Sequence, residues 1–356
     1  MKKILMTGNE AIGEGAIQAG CEFYAGYPIT PQNELTAYMA KRMAEERRVF
    51  IQAESELAAI NMVFGASAAG AKAMTSSSSP GISLKQEGIS YLAGCELPCV
   101  IVNIMRGGPG LGNIAPSQSD YFQATKGGGH GDYHCIVLAP SSVQEAFDLM
   151  KPAFELADLY RNPVYILGDG MLGQMMEPLV ANGKWQMANG NHKPLAISHK
   201  LKPWALSGCK NRKPNVIKSM YLREGSLEKH NIHLKKKYQE MKNTQQRWED
   251  LFLDDARIIL VAYGSVARIA QSVVRRLRKK GKRIGLIRPI SLWPFPDKIF
   301  KRLAVNGKRL TFLVIEMSLG QMVEDVELAV RGRAAVKFFG RAGGGIPSEE
   351  EIIRRL

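Results

Sequence analysis

Short apolar runs alternate with longer amphipathic stretches through the first half of the chain. Lys3–Met6 predicts a strand, Asn9–Ala19 a helix, and Phe23–Tyr27 a second strand closed off by Pro28 and Pro31. Glu34–Glu46 has helical spacing, Val49–Ala53 reads as a strand, Glu56–Ala69 as an alanine-rich helix and Ala73–Thr75 as a brief strand. Cys99–Met105 is almost continuously apolar, the pattern of a strand covered on both faces in a parallel sheet. Ile136–Leu138, a helix over Ser141–Leu156 and a strand at Val164–Leu167 repeat the cycle. The alternation predicts an α/β protein with a parallel sheet and helices on both faces.

From Glu177 to about Arg247 the pattern lapses. This stretch holds Pro178, Pro194, Pro203 and Pro214, and one helical segment near Ser226–Glu249. So long a connection is unusual inside one compact domain, which argues for a boundary here. Alternation then returns, with strands at Ile258–Tyr263, Arg283–Ile287 and Leu310–Glu316 and helices at Val266–Lys280, Asp297–Leu303 and Met322–Gly332. The expected division is a first domain over 1–176, a basic linker and helix over 177–250, and a smaller α/β domain over 251–356. A chain of 356 residues is long enough for two such cores.

Charge sharpens the picture of the middle segment. The net charge is +15, and between Lys193 and Arg247 stand 14 Lys and Arg against three Glu. Such a stretch serves as a solvated face, as a seat for an acidic protein, or as a seat for nucleic acid. No nucleic-acid motif accompanies it, so no nucleic-acid partner is expected. At the start, Met1-Lys2-Lys3 is followed by only Ile4-Leu5-Met6 before polar residues begin. A signal peptide needs an apolar run of about 7–15 residues and a membrane span about 20, so a cytoplasmic protein without membrane contact is expected. Cys21, Cys95, Cys99, Cys135 and Cys209 include no C-x-x-C, and the six histidines no H-E-x-x-H. No metal or cluster site is therefore expected on this chain, and any iron–sulfur centre would sit on another.

Several segments carry candidate chemistry, each with an ordinary alternative. In Gly26-Tyr27-Pro28-Ile29-Thr30-Pro31 two prolines stiffen the backbone around one hydroxyl, or simply make a turn. Gln52-Ala53-Glu54-Ser55-Glu56 ends a strand and opens a helix on carboxylates, which also favour any helix N-terminus. Thr75-Ser76-Ser77-Ser78-Ser79-Pro80-Gly81 reads as hydroxyls lining a polar pocket or as a flexible serine-rich loop. Arg106, following the buried strand with Gly107, Gly108, Gly110 and Gly112 close behind, has the fork geometry to grip a carboxylate; the alternative is a surface loop. Lys126–Asp132 looks like a phosphate loop but lacks that spacing. Gly168-Asp169-Gly170 looks like the start of a thiamine-diphosphate metal motif, but Asn189 and Asn191 fall in an irregular basic stretch.

Taken in order, these segments resemble the α-type, pyrimidine-binding subunit of 2-oxoacid:ferredoxin oxidoreductases. The resemblance is carried by Gly8–Ala11, Tyr27–Pro31, Gln52–Glu56, Gly81–Leu84, Arg106–Pro109 and Gly168–Gly170, and resumes at Tyr263–Ser265 and Leu292–Pro296. Gln52–Asn61 and Lys126–Asp132 bring it nearest to the enzyme acting on 3-methyl-2-oxobutanoate (2-ketoisovalerate). One departure is Lys85, where the resemblance leads one to expect an apolar residue.

The resemblance implies a doubly wound thiamine-diphosphate-binding domain of the pyrimidine type, followed by a smaller domain like the C-terminal domain of transketolase. It implies CoA-dependent oxidative decarboxylation of a 2-oxoacid to acyl-CoA and CO2, with electrons passed to ferredoxin. Thiamine diphosphate is shared with a partner β subunit that carries the diphosphate and Mg2+ site, while γ and δ subunits of ferredoxin type hold [4Fe–4S] clusters. Carried onto this sequence, Glu56 bonds the aminopyrimidine, and its distance to Gly65 and Gly70 fits that role better than Glu54 does. Thr30 and Arg106 bind the substrate carboxylate, and Tyr27, Pro28, Ile29, Ser79 and Pro80 join Glu56 around the cofactor. Trp293 and Phe295 pack a domain edge. Competing readings are the 2-oxoglutarate version of the complex and a non-catalytic scaffold that docks partners through the basic segment.

Overall fold

The computed structural model describes residues 3–181, 202–305 and 310–356. Asn189, Asn191 and the beginning of the basic stretch lie outside them.

The main sheet has seven strands in the order Ser291–Trp293, Ile136–Leu138, Pro163–Asp169, Cys99–Met105, Ala73–Ser77, Phe23–Gly26 and Val49–Gln52. Every neighbouring pair is parallel except the edge pair of Ser291–Trp293 with Ile136–Leu138. Cys99–Met105 and Pro163–Asp169 pair over their full length and are buried at every position. That is why both segments read as mostly apolar runs: helices cover them on each side.

The chain leaves Phe23–Gly26 toward one edge, forms Val49–Gln52, then returns past it to form Ala73–Ser77 on the other side. The direction of winding therefore reverses at Phe23–Gly26. In open α/β sheets a crevice opens at the carboxyl ends of strands where the order reverses, and ligands bind there. The segments after these three strands are Tyr27–Pro31, Ala53–Glu56 and Ser78–Gly81.

Several elements differ from the sequence expectation. Ile4–Thr7 does not join the main sheet but pairs antiparallel with Met176–Leu179 in a two-stranded ribbon. Its apolar residues carry no mark of which partner they take. The helix expected over Ser141–Leu156 is two, Val143–Asp148 and Met150–Tyr160, each with its own cap. The serine-rich segment is not a loop. Thr75–Ser77 finishes a strand, Ser78 is the helix cap, and Ser79–Gly94 is a helix with proline in its first turn, where a missing N–H costs nothing.

The second sheet runs Ala335–Gly340, Thr311–Glu316, Ile258–Val261, Ile284–Pro289 and Trp248–Leu251. Trp248–Leu251 lies antiparallel on its edge, and the other pairings are parallel. Ser291–Trp293 leaves this half and completes the main sheet, where Trp293 stacks on His134 with ring centres 4.6 Å apart. The helix Ser226–Thr244 from the basic segment buries Leu234, Tyr238 and Met241. Part of that segment's charge is used internally: Lys237 pairs with Glu96 at 3.1 Å and Lys202 with Asp158 at 2.6 Å. Lys229, Lys235, Lys236 and Lys242 remain exposed on the helix.

Candidate functional site

Glu56 is the first residue of its helix, with Ser55 as the cap: the Ser55 hydroxyl accepts from Ala58 N at 3.1 Å. Glu56 is 6% exposed, whereas Glu54, two residues earlier, is exposed. The buried carboxyl lies against the start of the Ser79–Gly94 helix. A Cβ built on Gly81 would stand 2.4 Å from Glu56 Oε1 and 2.1 Å from Ser77 Oγ. No side chain fits at position 81 without displacing these two groups, so the glycine there makes room for a helix-start carboxyl and a strand-end hydroxyl at the same end of the sheet.

Arg106 follows the Cys99–Met105 strand and is buried. Its Nη1 donates to Thr30 O at 3.0 Å and its Nη2 to Leu111 O at 3.1 Å. The guanidinium thus ties the Tyr27–Pro31 segment to the glycine-rich loop. Its Nε is buried with no partner among the described residues, as are Ser77 Oγ and Ser78 Oγ. Buried polar atoms are almost always satisfied, so three unpaired ones at neighbouring strand ends make this crevice the candidate site. The Thr30 hydroxyl accepts from Asn33 Nδ2 at 3.1 Å and retains its own proton to donate.

Ser79 braces the same region from within. Its hydroxyl accepts from Arg106 N at 3.0 Å and donates to Asp120 Oδ2 at 2.6 Å, and Asn103 Nδ2 reaches that same oxygen at 2.9 Å. Burial pushes the Asp120 carboxyl above its ordinary range. Pro80 and Ile29 are half-buried, and Tyr27 and Pro28 are exposed beside them. The structure therefore brings the segments bearing Thr30, Arg106, Ser79 and Glu56 to one end of the sheet, connected by direct contacts.

A polar layer lies beneath. Tyr24 OH meets Ser76 Oγ at 2.6 Å, Ser76 Oγ donates to Gln32 Oε1 at 2.6 Å, and Gln32 Nε2 donates to Tyr27 O at 3.3 Å. This chain holds the Tyr27–Pro31 segment, whose Thr30–Pro31 peptide is cis, over the Ala73–Ser77 strand.

Two proposed look-alike motifs turn out to join the halves of the molecule. Asp169 is buried and accepts from Leu172 N at 3.0 Å and from Ser265 Oγ at 2.8 Å. It caps one helix and clasps the turn that opens another. Lys126 is ion-paired with Asp325, to which Tyr121 OH also donates at 2.6 Å.

Residues 14–249 match the family model described as pyruvate flavodoxin/ferredoxin oxidoreductase, thiamine-diphosphate-binding, and residues 256–352 match pyruvate:ferredoxin oxidoreductase core domain II. The chain belongs to the 2-oxoacid:ferredoxin oxidoreductases. It is 48% identical, over 99% of its length and 96% of the relative's, to the ketoisovalerate oxidoreductase subunit VorB of Methanothermobacter marburgensis. It is 37% identical, over the whole of both chains, to the 2-oxoglutarate synthase subunit KorA of Methanocaldococcus jannaschii. Among solved structures it resembles the 2-oxoglutarate:ferredoxin oxidoreductase of Magnetococcus marinus, determined with 2-oxoglutarate, coenzyme A and succinyl-CoA bound. There the TM-score is 0.85 and the identity 27%, covering 99% of this chain and 64% of that one. The doubly wound sheet followed by a second α/β unit is thus the fold of this oxidoreductase family, and its thiamine-type part contains the crevice just described.

Sequence reasoning placed Ser77 and Ser78 only within a run of hydroxyls that could line a polar pocket, and missed Asn103 and Asp120, which complete the crevice. Nothing local marks them; Asp120 reaches the site from a loop 41 residues beyond Ser79. The unexpected Lys85 is wholly buried rather than misplaced, with Nζ donating to Thr75 Oγ1 at 2.5 Å and to Ser76 O at 3.1 Å. Among the described residues no group of three or more His, Cys, Asp and Glu could hold a metal ion, and no helix is long and apolar enough to cross a membrane.

Proposed function

We propose that this chain supplies the pyrimidine half of a thiamine diphosphate site in a CoA-dependent oxidoreductase acting on 3-methyl-2-oxobutanoate, with ferredoxin as electron acceptor. The observation that carries the reading is the buried Glu56 carboxyl against Gly81, beside the unpaired Ser77 and Ser78 hydroxyls, at the switch point of a thiamine-type sheet. Bound thiamine diphosphate supplies the carbon nucleophile and electron sink for cleaving the bond between the 2-oxo carbon and its carboxylate.

The chain's own residues have narrower tasks. Glu56 donates a hydrogen bond to the aminopyrimidine, which asks for a carboxyl removed from water. Arg106 offers its free Nε, and Thr30 its hydroxyl proton, to the substrate carboxylate. Tyr27, Pro28, Ile29 and Pro80 form the wall against which the ring packs. Leu111 and Ile114, exposed on the Arg106 loop, add apolar surface suited to a branched aliphatic substrate. A partner β subunit provides the diphosphate and Mg2+ site, and ferredoxin-type γ and δ subunits the clusters, since the cysteines of this chain are dispersed and four of five are buried.

The substrate assignment follows the 48% identity to the ketoisovalerate enzyme's subunit against 37% to the 2-oxoglutarate enzyme's. The test is a panel of 2-oxoacids offered to the co-purified complex with a viologen dye as acceptor. Higher kcat/KM for 3-methyl-2-oxobutanoate than for 2-oxoglutarate is expected; the reverse order would assign the complex to 2-oxoglutarate.

A further inference from the structure

Lys85 is a fully buried cation of the thiamine-type part for which the reading above has no use. It lies one helical turn after Gly81, so its side chain leaves the same face of the helix that meets Ser77 and Glu56. Its relative exposure is 0%, and its Nζ sits on the Ala73–Ser77 strand, held by Thr75 Oγ1 and Ser76 O. An ammonium has three N–H donors, whereas a neutral amine has two. The two acceptors present take both N–H groups of the neutral form and leave the charged form one short.

We propose that Lys85 is a positioning residue for the thiamine half-site: from beneath, its charge controls how tightly the proton shared by Glu56 and the pyrimidine ring is held. The inference rests on Glu56 being the pyrimidine's partner. A positive charge close to a carboxyl favours the ionised form, and its removal lets the carboxyl keep a proton to higher pH.

The ionisable groups that face Lys85 are few. Glu56, on the neighbouring helix, acts on its charge electrostatically, and so does Cys99, on the adjoining strand. Burial pushes the Cys99 thiol far up, so it stays neutral, and the strand carrying Thr75 contributes only uncharged acceptors. Glu56 is therefore the ionisable partner that faces Lys85. Burial, partly opposed by Glu56, pulls the Lys85 ammonium down to about 7. Its charge then changes within the range where an enzyme works, which an apolar residue at this position could not do.

The test uses the assembled complex with thiamine diphosphate bound and follows, against pH and without substrate, the circular-dichroism band of the bound pyrimidine. In Lys85→Met, which replaces the ammonium at similar volume, the midpoint of that titration is expected to rise by about one pH unit. Thr75→Val, which removes an acceptor of the ammonium, is expected to move it the same way by less. An unmoved midpoint in both variants overturns the proposal while leaving the Glu56 reading intact. Failure of both variants to assemble assigns Lys85 to packing and overturns it as well. Persistence of the wild-type titration in Glu56→Gln instead removes the reading on which the proposal stands, so the two failures are separable.

Discussion

Arg106 Nη1 donates to the carbonyl oxygen of Thr30 at 3.0 Å, across 76 positions of sequence. The bond joins segments that follow two different strands of the main sheet, and Nη2 folds Arg106's own glycine-rich loop back through Leu111 O. Arg106 is thus both a candidate for holding substrate and the clip that shapes the crevice.

Arg106→Ala removes the clip and leaves two carbonyls without their donor. A hydrogen bond to a charged group contributes about 1.5–3 kcal/mol, so kcat/KM for the 2-oxoacid is expected to fall by about 10- to 100-fold. Arg106→Lys restores the charge but not two simultaneous bonds, and is expected to recover only part of the loss. Steady-state kinetics on the complex checks both; an unchanged KM and kcat in Arg106→Ala would end the carboxylate role.

Gly81→Ala puts a methyl group where Glu56 and Ser77 already stand. The carboxyl must move, and thiamine diphosphate affinity is expected to drop by about tenfold or more, on the scale of one lost buried hydrogen bond. Calorimetric titration of the complex with the cofactor measures this directly. Gly65→Ala, where an added Cβ meets no atom within 4 Å, is the control expected to bind normally.

Asp169→Ala leaves Leu172 N, Ser265 N and Ser265 Oγ without their acceptor at the joint of the two sheets. Buried donors left unsatisfied cost about 1–3 kcal/mol each, so stability should fall by at least about 2 kcal/mol. Urea unfolding of the variant against the parent gives the value, and an unchanged midpoint would show that Asp169 is not the clasp.

His134 gives the protein a pH dependence of defined sign. Burial, then the positive charges of Lys242 and Lys126, pull its imidazole down to about 4 from an ordinary 6.5. The unfolded chain therefore binds this proton more readily. The associated stability is present above about pH 6.5 and is lost as pH falls toward 4. His134→Phe keeps a ring against Trp293 but has no proton to gain. Thermal melts between pH 7 and pH 4.5 should show a shallower decline in the variant, and parallel declines would contradict the assignment.

Much of the fold was legible because local pattern and tertiary role coincide. Cys99–Met105 is apolar but for Asn103 because both its faces are covered, and Glu56 falls at a helix start where a carboxylate is favoured. The helix Ser79–Gly94 was not legible. Its serines, Gly81 and Gly88 all lower helix propensity, yet the glycines are there for closeness: a Cβ on Gly88 would stand 2.6 Å from Ile60 Cγ2. Lys85 looked like a departure from the family resemblance because its acceptors lie on a strand outside its own helix. The pairing of Ile4–Thr7 with Met176–Leu179 likewise depends on residues far away in sequence. What escapes the sequence in each case is a contact between distant segments, and the site is made of such contacts.

The central claim, that Glu56 is the group acting on the thiamine pyrimidine, is tested most directly by turnover of the assembled complex carrying Glu56→Gln beside one carrying Glu54→Gln. The buried Glu56 variant should lose nearly all 2-oxoacid-dependent dye reduction, while the exposed Glu54 variant stays near wild type. Wild-type turnover in Glu56→Gln, with activity abolished in Glu54→Gln, would contradict the account.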